Sequence, residues 1–558
     1  MSEFGICEGI LYDYSGDGGE VVIPEGVTKI GSNAFLDRYD VTSLTLPSSV
    51  TEIEGGAFSD CADLKEICVT EGNTVFSSVN GILYNKEKTR LLTCPRGKAG
   101  IVRIPRGVTE IDDFAFQDCQ ELKTVSIPDS VTRIGDSAFI ACCTLKGVTI
   151  PDGVTDIGDS AFSDCRELTA VTIPDSVTHI GWCAFKKCCA LKSVTIPESV
   201  TDFGWYVFIG CSTLESVTIP KSLTRIEEAT FEGCTALTRV TIPDGVTFIG
   251  RRAFKDCLSL ESVTLPDSVK YIEAQVFEGC AGLTNILLSN SLVQLEGYVF
   301  SQCSELTSVT IPAGVGRIIP TAFEGCSALT DFSVSDGNPY FSDSEGILYD
   351  KERQTLIACP GGRDGEVVIP EGVTWISDSA FRNCRKLERV TIPDTVTHIG
   401  DRAFCDCRKL TSVTIPDSVT HIGETAFCGC HELKSITIGS GVKEIGEYAF
   451  YECCDLTSVT IPEGVEHLRR NTFDFCIKLT HVTLPRSLKR ICKSAFFYCD
   501  GLKSITIPAG VTHICVSAFQ NCSQLTDVFF YGTEEEWNAI AVDAENDPLL
   551  NAKIHFKS

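Results

Sequence analysis

The feature that most constrains this chain is a phenylalanine that returns every 23 residues over most of its length. Only two intervals are longer, and each of these, at 58 residues, holds one further repeat plus 12 extra residues. A fixed period of this size is typical of a solenoid, because one repeat cannot bury its apolar face until neighbouring repeats stack on it. The 558 residues are therefore interpreted as a repeat array before any separate domains are counted. The recurring residues are Phe35, Phe58, Phe116, Phe139, Phe162, Phe185, Phe208, Phe231, Phe254, Phe277, Phe300, Phe323, Phe381, Phe404, Phe427, Phe450, Phe473, Phe496 and Phe519.

One unit, FSDCRELTAVTIPDSVTHIG from Phe162 to Gly181, shows the local structure that each repeat encodes. Its LTAVTI segment alternates apolar and polar residues, which predicts a strand with one buried face. Pro174 ends that strand because proline cannot donate to a ladder, and a turn follows. The VTHIG segment is a second short extended stretch, and the segment around Phe162 is predicted to be a short helical turn. We therefore expect a mainly β repeat solenoid with a parallel sheet on one face.

The two long intervals contain a second pattern, with insertions near residues 71–104 and 336–369. In each, a strand, a charged turn and another strand end at Cys94-Pro95 or Cys359-Pro360. This order predicts a β-hairpin, which we expect to decorate one edge of the solenoid.

The ends of the chain depart from the repeat, as terminal repeats must when they cover an open core. The motif Gly9-Ile10-Leu11-Tyr12 repeats the start of the hairpin pattern, so residues 1–34 are predicted to form a partial hairpin unit and cap. Residues 35–526 form the repeat array. Residues 527–558 are predicted to be a C-terminal cap with a short helix around 534–540 and a last strand.

Cysteine occupies one repeat position, three residues after Phe, in every unit except the first, where Arg38 stands. One repeated position indicates one structural role, so we expect buried thiols that reach a neighbouring carbonyl. Coils about 5 Å apart would also permit disulfides, and the pair most suited to one is Cys492 and Cys515. Four thiolates at Cys405, Cys407, Cys428 and Cys430 offer an alternative zinc site. The main prediction is nevertheless no metal and no cofactor.

Charge and motifs exclude several classes of function. The net charge is −28, and no basic block is present to contact phosphates, so neither nucleic acid nor an anionic membrane is an expected partner. No apolar run is long enough to span a membrane. The N-terminal residues lack a signal peptide pattern, which as written predicts a cytoplasmic protein, or a secreted or cell-surface protein if an export signal was removed. No catalytic or nucleotide-binding motif is found, so an enzyme is not expected.

Units such as LTSVTIPDSVTHIGETAFCGC, together with the GTEEEWNAI…LLNAKIHF ending, resemble the BspA-like class of leucine-rich repeats. The resemblance implies a right-handed solenoid with a parallel sheet. It also implies binding to a protein, such as a host or cell-surface protein, since characterised relatives are often bacterial adhesins. It carries over no catalytic residues, because the motif is structural.

A binding surface is expected where the consensus breaks. Trp182 and Trp205 occupy one position in consecutive units and should stack as an exposed pair, a residue type enriched at interaction sites. The alternative interpretation is neutral drift at solvated positions. Two other functions stay open, namely an intracellular scaffold of the same fold and a metal-binding or redox role of the thiols. On the predicted sheet face, the candidate binding residues are Arg239, Asn285, Asp331, Arg389 and His481.

Overall fold

The computed structural model describes residues 3–58 and 61–557. The chain divides into two compact units, Met1–Ala281 and Gly282–Ser558. Each unit consists of coils whose strands pair in parallel with the strands of the next coil, so each is a β-solenoid. The predicted mainly β repeat fold is confirmed.

Each coil contributes one strand to each of two parallel sheets. The L-x-x-V-T-I segment forms the first-sheet strand, as in Ala170–Thr172, where Val171 pairs with Val148 of the previous coil. The V-T-x-I segment forms the second-sheet strand, as in His179–Ile180. The sequence pattern marked this segment only as extended. It forms a sheet because each copy lies in register with the next, and the two sheets enclose the core between them.

The strands of unit 1 follow this plan throughout. Its first-sheet strands are Gly19–Val22, Val41–Leu46, Glu66–Val69, Gly100–Arg103, Leu122–Ser126, Gly147–Thr149, Ala170–Thr172, Ser193–Thr195, Ser216–Thr218, Arg239–Val240 and Ser262–Thr264. Its second-sheet strands are Ile10–Tyr14, Lys29–Ile30, Glu52–Ile53, Arg90–Thr93, Glu110–Ile111, Arg133–Ile134, Asp156–Ile157, His179–Ile180, Asp202–Phe203, Arg225–Ile226, Phe248–Ile249 and Tyr271–Ile272. Three further strands, Phe4–Cys7, Phe76–Val79 and Ile82–Asn85, pair antiparallel.

Unit 2 has the same organisation and carries the helices. Its first-sheet strands are Asn285–Leu287, Ser308–Ile311, Asp331–Val334, Gly365–Val368, Leu387–Thr391, Ser412–Ile415, Ser435–Ile438, Ser458–Thr460, His481–Thr483, Ser504–Pro508, Asp527–Tyr531 and Lys553–Phe556. Its second-sheet strands are Gln294–Leu295, Arg317–Ile318, Thr355–Ala358, Trp375–Ile376, His398–Ile399, His421–Ile422, Glu444–Ile445, His467–Leu468, Arg490–Ile491, His513–Ile514 and Ala541–Val542. The antiparallel strands are Phe341–Ser344 and Ile347–Asp350, and the helices are the 3-10 turn Pro320–Phe323 and the α-helices Glu534–Asn538 and Asp547–Asn551.

The segment around each Phe is a series of tight turns, and only Pro320–Phe323 among the described residues is a 3-10 helix. Ser137 and Ala141 show why, because their φ angles of 53° and 58° lie in the left-handed region, which a right-handed helix cannot contain. The turn also pairs with the next coil. The amides of Ser137 and Phe139 donate to the carbonyls of Asp159 and Ala161 at 2.6 and 2.7 Å. The coils of Phe139 and Phe162 are thus joined by three backbone ladders, one in each sheet and one in the turn.

Phenylalanine and cysteine columns fill the interior. Phe139 and Phe162 stack with ring centroids 5.1 Å apart and planes at 3°, and both side chains are fully buried. The Cys165 thiol donates to the carbonyl oxygen of Phe139 at 3.2 Å, and the same contact recurs at Cys407 with Phe381 at 3.1 Å. The predicted thiol-to-carbonyl contact is confirmed, and all 30 cysteines are present as thiols.

The two insertions are three-stranded antiparallel meanders and not the edge decorations predicted from sequence. Their last strand enters the second sheet: Arg90–Thr93 pairs in parallel with Glu110–Ile111, and Thr355–Ala358 pairs with Trp375–Ile376. The edge position was wrongly predicted because only the first two strands of each insertion are confined to antiparallel pairing within it. The third strand takes the place of a regular second-sheet strand. The N-terminal strand Ile10–Tyr14 likewise pairs directly with Lys29–Ile30.

The C-terminal cap, residues 527–558, adds two strands to the first sheet of unit 2 and one strand to its second sheet. Ala541–Val542 pairs with His513–Ile514, and Lys553–Phe556 pairs with Asp527–Tyr531. The predicted short helix is Glu534–Asn538, which begins at a capping box formed by Thr533.

Replacing Phe162 by Ala should lower the free energy of unfolding by about 3–5 kcal/mol, because the fully buried ring loses stacking partners on both sides. The matched control is Phe114→Ala, since Phe114 is 56% exposed in the same unit. Chemical denaturation followed by circular dichroism measures both. Equal effects of the two substitutions would contradict the assignment of Phe162 to the core.

The column thiols should be unreactive in the native protein. Burial raises the pKa of Cys211 to about 12, so almost none of it is thiolate at neutral pH. A thiol reagent at pH 8 should label the exposed Cys7 quickly and column cysteines only after denaturation. The Cys7→Ser variant should lack the fast phase of thiol labelling. Rapid labelling of Cys211 in the folded protein would contradict the burial of the cysteine column.

Candidate functional site

The two sheets present chemically different outer faces. On the first sheet the outward residues are mostly Ser and Thr, such as Ser216 and Thr218 around the inward Val217. On the second sheet the first residue of each two-residue strand faces out, because the second residue is buried in the core. This outer column carries charged and aromatic residues, including His179, Asp202 and Arg225. The second sheet is therefore the more varied surface.

Neighbours on this column interact from coil to coil. In unit 1, Lys29 Nζ lies 2.7 Å from Glu52 Oε1, and the guanidinium of Arg225 lies 3.8 Å from the centroid of the Phe248 ring. In unit 2, His421 Nδ1 lies 3.2 Å from Glu444 Oε2. Such cross-strand pairs contribute roughly 0.2–1 kcal/mol each. Much of the column thus stabilises the stack and satisfies its own polar groups.

Trp182 and Trp205 lie at the bend that follows the second-sheet strand. Their ring centroids are 5.2 Å apart and their planes differ by 1°. The side chains remain 55% and 42% exposed. Two features fix this geometry: the amide of Trp182 donates to Asp159 Oδ1 at 2.7 Å, and Gly204 leaves room where a Cβ atom would lie 2.6 Å from Trp182 Cδ1. The predicted exposed stack is present.

Two titratable residues accompany the indoles on the same coils. His179 and Asp202 lie three residues before Trp182 and Trp205, and His179 Nδ1 is 2.9 Å from Asp202 Oδ2. We call these four residues the tryptophan patch. The second sheet is interrupted just beyond it, after the strand Asp202–Phe203. There Phe203 takes an inward position that other coils fill with the smaller Ile or Leu.

The remaining candidate residues are exposed on the first sheet but do not form a cluster. Arg239 lies between Ser216 and Ser262, and His481 lies beside Ser458. Arg389 faces Glu366 and Ser412, Asp331 lies beside Ser308, and Asn285 is exposed at the start of its strand. These five residues depart from the repeat consensus one at a time on a sheet covered by Ser and Thr, and they define no common site.

The four cysteines considered for zinc do not converge. Cys407 and Cys430 belong to the buried column, with their thiols on the carbonyls of Phe381 and Phe404 at 3.1 and 3.2 Å. Cys405 and Cys428 instead interact with each other, and the hydrogen bond from Cys428 lowers the pKa of Cys405. The two pairs are separate because Cys407 and Cys430 point to carbonyls in the core, whereas Cys405 and Cys428 contact each other.

A cleft of about 560 Å³ in unit 1 was not foreseen from the sequence. It lies where the meander replaces a regular Phe turn. Its floor is apolar, with Phe58 and Leu83, and its rim carries Arg90 and Asp112, whose nearest side-chain atoms are 2.8 Å apart. The missing phenylalanine between Phe58 and Phe116 was the available signal. The rim charges already pair with one another, so the cleft adds no reactive group.

The family comparison covers most of the chain. The BspA type leucine rich repeat region matches in six copies, at residues 12–97, 98–215, 204–330, 365–476 and 443–541. No curated protein matches significantly. Within residues 3–58 and 61–557, no helix is both long and apolar enough to cross a membrane.

Several solved structures are similar to the chain. A leucine-rich repeat protein from Eubacterium ventriosum is 25% identical, with 76% of this chain and 91% of that chain covered and a TM-score of 0.39. A leucine-rich repeat protein from Bacteroides ovatus is 24% identical, with 87% of this chain and 97% of that chain covered and a TM-score of 0.38. A leucine rich cell surface protein from Faecalibacterium prausnitzii is 28% identical, with 84% of this chain and 97% of that chain covered and a TM-score of 0.31. With its 23-residue unit, its paired sheets and this match over most of its length, the chain belongs to the BspA type leucine rich repeat family.

Proposed function

We propose that this chain is a non-catalytic recognition protein that binds a protein partner through the tryptophan patch of unit 1. The observation that carries the proposal is the pair of parallel indoles held in place by the coils and still half exposed. Tryptophan is the residue type most enriched among side chains that dominate binding energy.

The indoles are suited to recognition because they are already ordered. Stacking on each other and the hydrogen bond from the Trp182 amide to Asp159 restrict their motion before any partner arrives. Less side-chain entropy is then lost on binding, which favours affinity. By contrast, charged residues elsewhere on the same sheet, such as Lys29 and Glu52, are occupied with each other.

The charge of the patch indicates the chemistry of the partner. Asp159 accepts a hydrogen bond from the Trp182 amide, Asp202 lies three residues before Trp205, and the whole chain carries a net charge of −28. A protein surface that presents Arg or Lys next to apolar side chains fits best, because cations stack on indole faces and pair with carboxylates. A polyanion such as nucleic acid would be repelled.

The state of the thiols favours binding over redox or metal chemistry at the cysteine column. Nucleophilic attack and metal ligation both need thiolates. Burial raises the pKa of column members such as Cys211 and Cys326 to about 12. These residues are therefore protonated at neutral pH and serve as packing groups.

We further propose that the partner lies on a host or other cell surface, as the resemblance to bacterial adhesins implies. The alternative is an intracellular scaffold that uses the same patch. Protease treatment of intact cells that produce the protein from its complete gene separates the two. Degradation supports the adhesin, and full protection supports the scaffold.

The double substitution Trp182→Ser and Trp205→Ser should weaken partner binding at least about 30-fold, as expected for loss of a residue worth about 2 kcal/mol or more. Quantitative pull-down followed by titration of the recovered partner measures it. The matched control is Trp375→Ser in unit 2, since Trp375 is also 42% exposed and stacks on His398. Unchanged binding by the double variant would remove the tryptophan patch from consideration.

A further inference from the structure

The last coils of unit 2 bring four residues of metal-binding types close together on the second sheet. In many coils the residue after the second-sheet strand is glycine, as at Gly181 and Gly400. In the last two coils it is Cys492 and Cys515, and in the cap strand it is Asp543. Three successive strands thus carry a residue type able to bind a metal at this position.

The backbone holds these three positions in register. The amides of Cys492, Cys515 and Asp543 donate to the carbonyls of Leu468, Ile491 and Ile514 at 2.9, 2.8 and 2.9 Å. The strand His513–Ile514 buries Ile514, so His513 and Cys515, two residues apart, lie on the same side of the strand, where His513 is partly exposed and Cys515 is buried. The side chains therefore converge because of the sheet itself and not because of a flexible loop.

The ligand atoms are already close together. His513 Nε2 lies 3.0 Å from Asp543 Oδ2, and the ligand atoms of His513, Cys515 and Asp543 all lie within 4.8 Å of one another. Cys492 follows the adjacent strand in register with Cys515 and lies outside this group of three. Tetrahedral zinc, with bonds of about 2.0–2.3 Å, separates its ligand atoms by roughly 3.3–3.8 Å. Small side-chain rotations would bring the three grouped ligand atoms to that spacing, with Cys492 on the adjacent coil as the fourth group.

Two arginines lie beside the cysteines. Arg490 Nε donates to Cys515 Sγ at 3.1 Å, and Arg469 also lies near Cys492. A guanidinium that donates to a thiolate sulfur stabilises its negative charge without occupying the side that faces the metal.

We propose that Cys492, His513, Cys515 and Asp543 form a zinc site that fastens the C-terminal cap to the last two coils. Two sulfurs, one imidazole and one carboxylate are a ligand set that zinc prefers over magnesium or calcium. The Asp543 side chain is 46% exposed and that of His513 is 31% exposed, which leaves a path for the ion. The site covers the edge where a solenoid is most prone to fray, because a terminal coil has a neighbour on one side only.

The test is metal binding by the full-length, reduced and metal-stripped protein. Titration with Co²⁺ should give one tightly bound ion with sulfur-to-cobalt charge-transfer absorption, and Zn²⁺ should displace it and raise the Tm. Cys515→Ser should abolish the charge-transfer band, and Asp543→Asn should weaken Zn²⁺ binding at least about 10-fold in competition with a chromophoric chelator.

The matched control is Cys405→Ser, which removes another thiol that interacts with a thiol on the adjacent coil, Cys428. It should retain full binding. Circular dichroism establishes that each variant is folded, and Asp543→Asn, an exposed conservative change, keeps the test valid if Cys515→Ser unfolds. Wild-type protein without a thiolate–cobalt band, or with a Cys492–Cys515 disulfide after purification under reducing conditions, would overturn the proposal. So would equal zinc affinity in wild type and Asp543→Asn.

Discussion

The structure depends on side chains that are complementary to their own copies one coil away. Phe139 stacks on Phe162 at 5.1 Å, and the Cys165 thiol reaches the Phe139 carbonyl at 3.2 Å. Both contacts suit the spacing of about 4.8 Å between neighbouring strands. A flat ring and a small thiol can therefore be repeated without strain, whereas the larger Phe203 occurs where the second sheet is interrupted. The interior consequently tolerates little variation, and variation is concentrated outside.

Contacts between equivalent residues of adjacent coils also order the outer surface, and they limit which outer side chains are free to bind a partner. Outward neighbours become ion pairs, such as Lys29 with Glu52, or ring stacks, such as Trp375 with His398. The pair Trp182 and Trp205 obeys the rule and still leaves large apolar area in solvent. The proposed zinc site obeys it too, since its ligands come from strands in register. Recognition and metal binding would then both arise from adjacent coils and not from a separate domain.

The sequence predicted most of the interior and little of the outer surface chemistry. The spacing of Phe and Cys was enough to place both columns, because the period determines which residues face inward. Periodicity could not show that Arg90–Thr93 enters the second sheet, since that depends on pairing between segments outside the repeat. It also could not place Asp543 beside His513, because the cap strand Ala541–Val542 follows an irregular segment. The stacked tryptophans were predictable because they occupy one repeat position.

The most direct test of the stacked-coil account is hydrogen–deuterium exchange of the native protein, resolved to single coils. If three backbone ladders join coils such as those of Phe139 and Phe162, then their amides in both sheets and in the Phe turns, including that of Phe139, exchange slowly. Exposed turn amides such as Asp175, between the two sheets, exchange quickly. Fast exchange at Phe139 and its counterparts, with protection limited to one sheet, would contradict the account.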